Sequence, residues 1–190
     1  EAVITKIHSV VRWDKPQSEI ERVVEEVKVS MADALAAEDP KNGNRCLHIA
    51  AQNGHAGLVK WFLASGADVN AQNAKGQSAL HMSVEYDFYF QSCLLLEKGA
   101  DGQIRNSDGH AALKGIDGGK EGNDAWDNPV TILKAASDNA DEINVALTKL
   151  EQADPSVIDK AALVQAGMAK RKMCKGNWNA ARFTEVVKRL

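Results

Sequence analysis

A chain of 190 residues is long enough to bury one continuous apolar core without disulfides or a structural metal. Charged residues make up 26% of the chain and the net charge is −3, which excludes a disordered composition and a globally basic nucleic-acid-binding protein. The three cysteines, Cys46, Cys93 and Cys174, lack paired spacing, which favours a reducing intracellular compartment, cytoplasmic or nuclear.

No apolar run approaches the roughly 20 residues that a membrane-spanning helix needs, and no transmembrane segment is predicted. Because the chain opens with Glu1 instead of Met, two origins stay open. A presequence has been removed after import into an organelle, or the chain begins inside a longer protein.

The N-terminal region, residues 1–38, carries two amphipathic stripes at helical spacing. The first runs over residues 3–11 and the second over residues 20–35. We expect N-terminal capping helices there.

A repeat with a period of 33 residues follows, with copies at residues 39–72 and 73–105. The positions that the first copy shares with the second are Gly43, Leu47, Ala50, Ala51, Gly66, Ala67 and Asp68. Their counterparts are Gly76, Leu80, Ser83, Val84, Gly99, Ala100 and Asp101. Apolar spacing predicts two short helices in each copy, with an exit through Gly54 in the first copy and Asp87 in the second. A fixed period of this length is typical of a solenoid, in which neighbouring units share one core.

With their Leu-His pairs and Gly-Ala-Asp ends, both copies resemble ankyrin repeats. The resemblance implies an all-α ankyrin-repeat solenoid of stacked helical hairpins, with short protruding fingers and extra capping helices at both ends. It also implies that His48 and His81 form hydrogen bonds with neighbouring backbone groups and are not metal ligands or catalytic bases.

Residues 106–155 are predicted to form a third, degenerate and expanded repeat, which completes the repeat region 39–155. Gly109 and Leu113 keep the period, the glycine-rich residues 114–130 are predicted to be a loop, and helical spacing resumes over residues 132–150. Asn139 is the expected left-handed exit between the two helices of that segment.

The C-terminal region, residues 156–190, is predicted to form two basic capping helices. Eight basic residues against two acidic ones give it a net charge of +6, which leaves −9 for the rest of the chain. Lys170, Arg171, Lys172 and Lys175 form a candidate contact patch for nucleic acid or anionic lipid. The alternative is a solvated helix face.

No motif predicts a catalytic residue, a metal site or a cofactor, so the chain is not expected to be an enzyme. Cys46 and His48 are too close along the chain to converge as a dyad, and no two histidines have metal-ligand spacing. The glycine-rich residues 115–122 lack the spacing of a phosphate-binding loop. The acidic residues between 117 and 127 lack the alternation of a calcium loop.

The resemblance implies that a partner binds to finger tips and to the exposed edge of each first helix. The matching positions here are Lys41, Asn42, Asn44, Gln52, Asn53, Gln72, Lys75, Gln77, Glu85, Tyr86, Arg105, Ser107, Asp108 and His110. The aromatic residues 86–90 depart from the family pattern, and both core filling and an interface anchor stay open for them.

The predicted function is that of a non-catalytic scaffold module that docks another protein, as part of a larger assembly, through its concave face. Two alternatives remain. One is a structural subunit of a multisubunit or organellar complex, and the other is the regulatory domain of a longer enzyme.

Overall fold

The computed structural model describes residues 2–120 and 128–190. In these two ranges the chain is helical and has no strand; its β-type pairing is one isolated antiparallel bridge between Arg105 and Ala111. The helices pack into two compact units, the first of which ends at Lys120. The predicted all-α fold is therefore confirmed.

The first unit contains seven α-helices among its described residues. They are α1 (Ala2–Arg12), α2 (Gln17–Glu26), α3 (Met31–Ala36), α4 (Cys46–Asn53), α5 (Ala56–Ala64), α6 (Ala79–Glu85) and α7 (Tyr89–Glu97). The α4–α5 and α6–α7 pairs are the two helical hairpins that the 33-residue period predicts. The N-terminal region forms three helices, where two stripes were expected.

The turns inside the two hairpins have the predicted backbone conformation. Gly54 ends α4 with a φ of 74°, and Asp87 follows α6 with a φ of 57°. Asp87 tolerates this region less well than glycine does, because its Cβ crowds the backbone. The ring of Phe88 lies against Gly54, at a distance where a Cβ at residue 54 would meet the ring at 2.7 Å.

The hairpins lie side by side as successive layers. Helix α4 packs against α6 and α5 packs against α7, and α1 and α3 also pack against α4. Leu47, Phe62, Leu80 and Leu95 are buried in the shared interior. Each such side chain contributes roughly 2 kcal/mol through the apolar area that it removes from water, so the layers stabilise one another.

Three short loops are here called fingers. They are residues 39–44 before α4, residues 73–77 before α6 and residues 106–110 at the start of the third copy. Each is closed by a backbone hydrogen bond from its first residue to its last: Asp39 to Asn44 at 2.8 Å, Asn73 to Gln77 at 2.9 Å and Asn106 to His110 at 3.0 Å. Neighbouring fingers are also joined, because Ala74 N donates to Asn42 O at 3.0 Å and Ser107 N donates to Lys75 O at 2.9 Å. The fingers therefore form one hydrogen-bonded row.

The third copy keeps its finger but lacks a full first helix, the counterpart of α4 and α6. The chain forms a 3-10 turn, Ala112–Lys114, which packs against α6. Residues 115–120, here called the strap, then continue to the end of the first unit. The rest of the predicted repeat 106–155 belongs to the second unit or to residues 121–127, which lie outside the described residues, so this repeat stays a prediction.

The second unit contains four α-helices and two 3-10 turns among its described residues. They are α8 (Pro129–Ala135), α9 (Ala140–Gln152), the turn Pro155–Val157, α10 (Lys160–Met173), the turn Lys175–Asn177 and α11 (Ala180–Arg189). Helices α9 and α10 each pack against both α8 and α11. The predicted loop 114–130 therefore ends too late, because Pro129 already begins α8, a favoured place for proline.

Asn139 was expected at a left-handed exit, and that prediction is wrong. Its φ is −127°, and its side-chain oxygen accepts a hydrogen bond from Asp141 N at 2.9 Å. Asparagine suits a helix N-cap as well as a left-handed turn, and here it begins α9. Helix α8 ends one turn earlier, with Ala136 in an extended conformation.

Candidate partner-binding face

Most residues of the predicted contact face are accessible in the first unit. The exposed ones are Lys41, Asn42, Gln52, Asn53, Gln72, Lys75, Tyr86, Arg105, Ser107 and Asp108. Asn44, Glu85 and His110 are half-buried. Because the fingers keep the 33-residue register, Asn42, Lys75 and Asp108 occupy equivalent places on successive tips.

Gln77 was predicted to contact a partner, and the structure contradicts this. Its side chain is 7% exposed, and its Oε1 accepts a hydrogen bond from Asn73 Nδ2 at 3.0 Å. The residue closes the second finger from inside, since its carbonyl accepts the hydrogen bond that ends the turn. Its polar side chain therefore forms a hydrogen bond inside the protein and is not accessible to a partner.

Two other predicted residues stabilise the row of fingers. Asn44 Oδ1 accepts a hydrogen bond from Asn73 Nδ2 at 2.8 Å, which joins the first finger to the second. Gln72 Nε2 donates to Gly76 O at 2.6 Å and to Arg105 O at 3.2 Å, at the end of the second copy, directly before the third finger. Substitution of either residue would disturb the positions of the tips as well as remove a contact group.

The strap closes over the end of α6 and uses another predicted contact residue. Glu85 Oε2 accepts hydrogen bonds from Ile116 N at 2.7 Å and Asp117 N at 3.4 Å. Lys120 Nζ lies 3.0 Å from the Asp87 carboxylate. The Glu85 carboxylate is thus engaged within the chain, a role that no pattern in the sequence indicates.

The aromatic residues 86–90 divide between surface and interior. The side chain of Tyr86 is 48% exposed, while Phe88, Tyr89 and Phe90 are half-buried. The rings of Tyr86 and Phe88 lie 6.2 Å apart, and Phe88 in turn packs on Gly54. Tyr86 is therefore the member of this cluster that a partner can reach.

The Leu-His histidines have the structural role implied by the resemblance. His48 Nδ1 accepts a hydrogen bond from Arg45 N at 3.1 Å, and its Nε2 lies 3.0 Å from both Ala71 O and Gln77 O. Two carbonyls beside Nε2 require a proton there, so the neutral tautomer satisfies both nitrogens. Burial lowers the pKa of His48 to about 4, which keeps the ring in this neutral form.

His81 repeats this arrangement one layer further along. Its Nδ1 accepts from Ser78 N at 3.0 Å, and its Nε2 lies 3.1 Å from His110 O. Burial lowers the pKa of His81 as well. The two rings join the first helix of each hairpin, α4 or α6, to the finger that follows that hairpin in the chain.

The Cys46 thiol donates a hydrogen bond to Ala34 O at 3.5 Å. Burial raises the pKa of Cys46 to about 12, which leaves the thiol un-ionised at neutral pH. In the described ranges, no three or more His, Cys, Asp or Glu side chains are grouped to hold a metal ion. None of the described helices is both long and apolar enough to cross a membrane.

The predicted basic patch loses one of its four members in the second unit. Lys170 is 7% exposed and its Nζ donates to Ala136 O, so it cannot contact a partner. Burial lowers the pKa of Lys170. Arg171, Lys172 and Lys175 are exposed and form no ion pair with a described residue.

Much of the remaining positive charge nearby is also used internally. Arg182 forms a two-pronged ion pair with Glu151, with both N–O distances at 2.6 Å, and this hydrogen bonding lowers the pKa of Glu151. Arg189 donates to Leu150 O at 2.7 Å, at the C-terminal end of α9, where a cation is favourable. The surplus of +6 is therefore only partly available to a partner.

Sequence reasoning did not anticipate a cavity between α1 and the first finger. It has a volume of about 830 Å³ and is lined by Thr5, His8, Ser9, Arg12, Trp13, Asp39, Pro40, Lys41 and Asn42. The residues of α1 in this lining are Thr5, His8, Ser9 and Arg12, which recur at helical spacing and are all polar, and Trp13 follows the end of the helix. That second stripe, opposite the apolar one, was the signal available in the sequence.

Comparisons with known proteins support the repeat assignment. A family described as ankyrin repeats (3 copies) matches residues 20–114, which is half of the chain and includes part of the predicted N-terminal cap. Human NF-kappa-B inhibitor zeta is 33% identical over 85 residues, which cover 41% of this chain and 12% of that protein. The mouse nuclear factor NF-kappa-B p105 subunit is 40% identical over 73 residues, which cover 37% of this chain and 8% of that protein.

Among solved structures, a chain in the crystal structure of the yeast ribosomal protein Rps3 in complex with its chaperone Yar1 aligns with a TM-score of 0.54 and 28% identity. The alignment covers 62% of the present chain and 85% of that one. The chain therefore spans a small part of its curated relatives and most of this structural neighbour. The family match over half of its length, together with two stacked 33-residue hairpins, shows that the chain belongs to the ankyrin-repeat family.

Proposed function

We propose that the chain is a non-catalytic protein-binding module that docks a partner on the row of finger tips and the adjoining ends of α4 and α6. The observation that carries this proposal is the hydrogen-bonded row of fingers, which holds exposed polar side chains in fixed register. A preformed contact surface loses little conformational entropy on binding. In support, the aligned solved structure is a complex of Rps3 with its chaperone Yar1, and one relative is named as an inhibitor of NF-kappa-B.

Tyr86 and Lys75 offer the best test of this face. Both side chains are exposed, and neither forms a hydrogen bond or ion pair that supports the fingers. Tyr86 is an aromatic residue of the type that often anchors interfaces. The double variant Lys75→Ala/Tyr86→Ala should therefore weaken binding and leave the fold intact.

The experiment is affinity capture from cells, with co-purified proteins quantified by mass spectrometry for the wild type and two variants. The matched control is Lys60→Ala/Glu97→Ala, which changes two exposed residues on α5 and α7, the second helices of the two hairpins. A partner of this face should fall at least tenfold with Lys75→Ala/Tyr86→Ala and stay with the control. Proteins lost equally from both variants, or from neither, would contradict the proposal.

A second candidate function rests on Arg171, Lys172 and Lys175, which are exposed and unpaired among the described residues. In this alternative the chain is a structural subunit whose C-terminal unit contacts nucleic acid or anionic lipid. The variant Arg171→Gln/Lys172→Gln/Lys175→Gln should reduce the salt dependence of binding to duplex DNA, by about 3 in log K against log salt. Vesicles rich in phosphatidylserine test the lipid form. Binding that is weak and indifferent to salt would remove this candidate.

A third candidate is the regulatory domain of a longer enzyme, a form that is compatible with the 12% and 8% of two relatives that the matched residues cover. The proposal also places the chain inside the cell, in agreement with the unpaired thiols of Cys46 and Cys174. Detection of a longer polypeptide by an antibody against the finger row would support the regulatory form.

A further inference from the structure

The cavity beside α1 contains a buried polar side chain that lacks a hydrogen-bond partner. His8 is 4% exposed, and neither ring nitrogen forms a hydrogen bond within the described residues. The Ala37 carbonyl lies near the ring without reaching hydrogen-bond geometry. An unpaired buried polar group lowers the stability of the fold by about 1–3 kcal/mol. A polar ligand in this cavity would supply the hydrogen bond that the His8 ring lacks.

Two cations face the same cavity. Arg12 and Lys41 line it, and neither side chain forms an ion pair with a described residue. The carboxylate of Asp39 is the opposing charge in the lining, but its Oδ1 accepts the hydrogen bond from Lys41 N at 2.8 Å inside the first finger. The two side-chain cations therefore exceed the single carboxylate, which favours an anionic ligand.

An exposed tryptophan belongs to the same lining. Trp13 is 72% exposed, an unusual position for so large an apolar side chain. Tryptophan is enriched among the residues that anchor protein interfaces. A ligand with an apolar group next to its acid would bury this ring, which a small inorganic anion cannot do.

We infer that the cavity binds a carboxylate in an acidic segment of a partner protein, with Arg12 and Lys41 as its cations. The His8 ring nitrogens are covered in the free chain, and the ring turns to donate a hydrogen bond when the carboxylate binds. A neutral imidazole carries one N–H, and burial lowers the pKa of His8, so the ring can donate without being charged. The volume of about 830 Å³ is sufficient for one or two side chains of an extended peptide.

This inference goes beyond the proposed function, because α1 lies outside the 33-residue repeats. The two surfaces share only Lys41 and Asn42. A partner that follows the finger row toward the N-terminus would reach the cavity with its acidic end.

The probe is an acetylated five-residue peptide with four glutamates around a central leucine, and its counterpart contains four glutamines. The full chain is labelled with ¹⁵N and ¹³C, and the His8 ring signals are followed by NMR during the titration. We expect the glutamate peptide to shift these signals and the glutamine peptide to leave them unchanged. Arg12→Gln/Lys41→Gln should weaken binding at least tenfold, and Trp13→Ala should weaken it several-fold.

The matched control is Lys60→Gln/Lys98→Gln, which removes two exposed positive charges from α5 and the end of α7. Equal weakening in this control and in Arg12→Gln/Lys41→Gln would overturn the inference, because the effect would then come from net charge alone. Acetate at the same carboxylate concentration tests for a small-anion site. If it shifts the His8 signals as strongly as the peptide does, the peptide assignment is wrong.

The Lys75→Ala/Tyr86→Ala variant separates this inference from the proposed function. It should bind the glutamate peptide like the wild type even where it no longer captures a partner. Failure of the peptide to bind any variant, with partner capture intact, would reject the cavity and leave the finger row unaffected.

Discussion

At the scale of single residues, buried histidines make the stability of the folded state depend on pH. His48 is satisfied only as a neutral ring, because a second ring proton would face the Arg45 N–H that Nδ1 now accepts. With a pKa of about 4 in the fold against about 6.5 in an unfolded chain, the folded state binds fewer protons between these values. The contribution of His48 to stability is therefore complete above pH 6.5 and is lost as the pH falls toward 4.

The first prediction is that the free energy of unfolding of the wild type falls by up to about 3 kcal/mol between pH 6.5 and pH 4 through His48. In His48→Gln, which is less stable at pH 7, the loss over this range should be smaller by that contribution. Urea denaturation at pH 6.5, 5.5 and 5.0 measures the difference before carboxylates titrate strongly. Parallel curves for the two proteins would show that His48 does not titrate as argued.

The second prediction concerns Gly43, whose φ is 69° and where a Cβ would lie 2.6 Å from Ala74 N. Gly66 also has a positive φ, 91°, but a Cβ there would meet nothing within 4 Å. Gly66→Ala should cost about 1–2 kcal/mol through backbone strain alone. Gly43→Ala should cost about 1 kcal/mol more, because it also disrupts the hydrogen bond from Ala74 N to Asn42 O.

Thermal denaturation of both variants measures these costs. If Gly43→Ala were no less stable than Gly66→Ala, the contact between the fingers would contribute little. The comparison is informative because the backbone strain is similar at both sites and the crowding is not.

At the scale of elements, close packing between α10 and α11 depends on one glycine. A Cβ at Gly167 would lie 2.1 Å from Phe183 Cζ, far inside contact distance. Gly57, in the first turn of α5, has open space around the same position. Alanine is favoured over glycine in helices by about 1 kcal/mol, so the two sites should respond in opposite directions.

The third prediction is that Gly167→Ala destabilises the chain by about 1–3 kcal/mol through overpacking, while Gly57→Ala is neutral or stabilising. The fluorescence of Trp178, whose ring lies 5.0 Å from that of Phe183, should report the change near α11. A stabilising Gly167→Ala would mean that Phe183 moves aside without cost.

The elements that the sequence predicted well are those with a local physical signal. Gly54, Asp87 and the apolar spacing around Leu47 and Leu80 define the hairpins without any tertiary knowledge. Gln77 and Lys170 were misplaced for the opposite reason. Lys170 is buried because its Nζ reaches Ala136 O, 34 residues earlier in the chain. Gln77 is buried where its carbonyl lies 3.0 Å from His48 Nε2, 29 residues earlier. Asn139 was misread because its side chain suits both an N-cap and a left-handed turn.

The candidate site was predictable to the same extent. Finger tips such as Lys75 and Asp108 follow directly from the repeat register, and the structure leaves them exposed. The engagement of Glu85 by the strap depends on Ile116, 31 residues later, and no periodicity indicates it. The cavity at His8 likewise requires α1 and the first finger to meet.

At the scale of the whole molecule, the first unit is a stack in which each layer depends on its neighbours. Leu80 is fully buried in α6, which packs against both α4 and the 3-10 turn Ala112–Lys114. Loss of packing there should therefore weaken both sides of the stack.

The fourth prediction is that Leu80→Ala costs about 2–5 kcal/mol and reduces hydrogen-exchange protection in α4 as well as in α6. Leu163→Ala, at an equally buried position in α10, serves as the control for the same side-chain deletion in the second unit. Protection of α4 that stays at the wild-type level in Leu80→Ala would argue against a shared interior.

The bonds between neighbouring tips, Ala74 N to Asn42 O and Ser107 N to Lys75 O, involve backbone atoms alone. The side chains on those tips can therefore be exchanged without loss of the row, whereas one inserted residue would shift every later tip out of step. New specificities should accordingly arise by point substitution at positions such as Lys75 and Asp108. The same property makes these tips suitable sites for randomised libraries that retarget the chain to a chosen ligand.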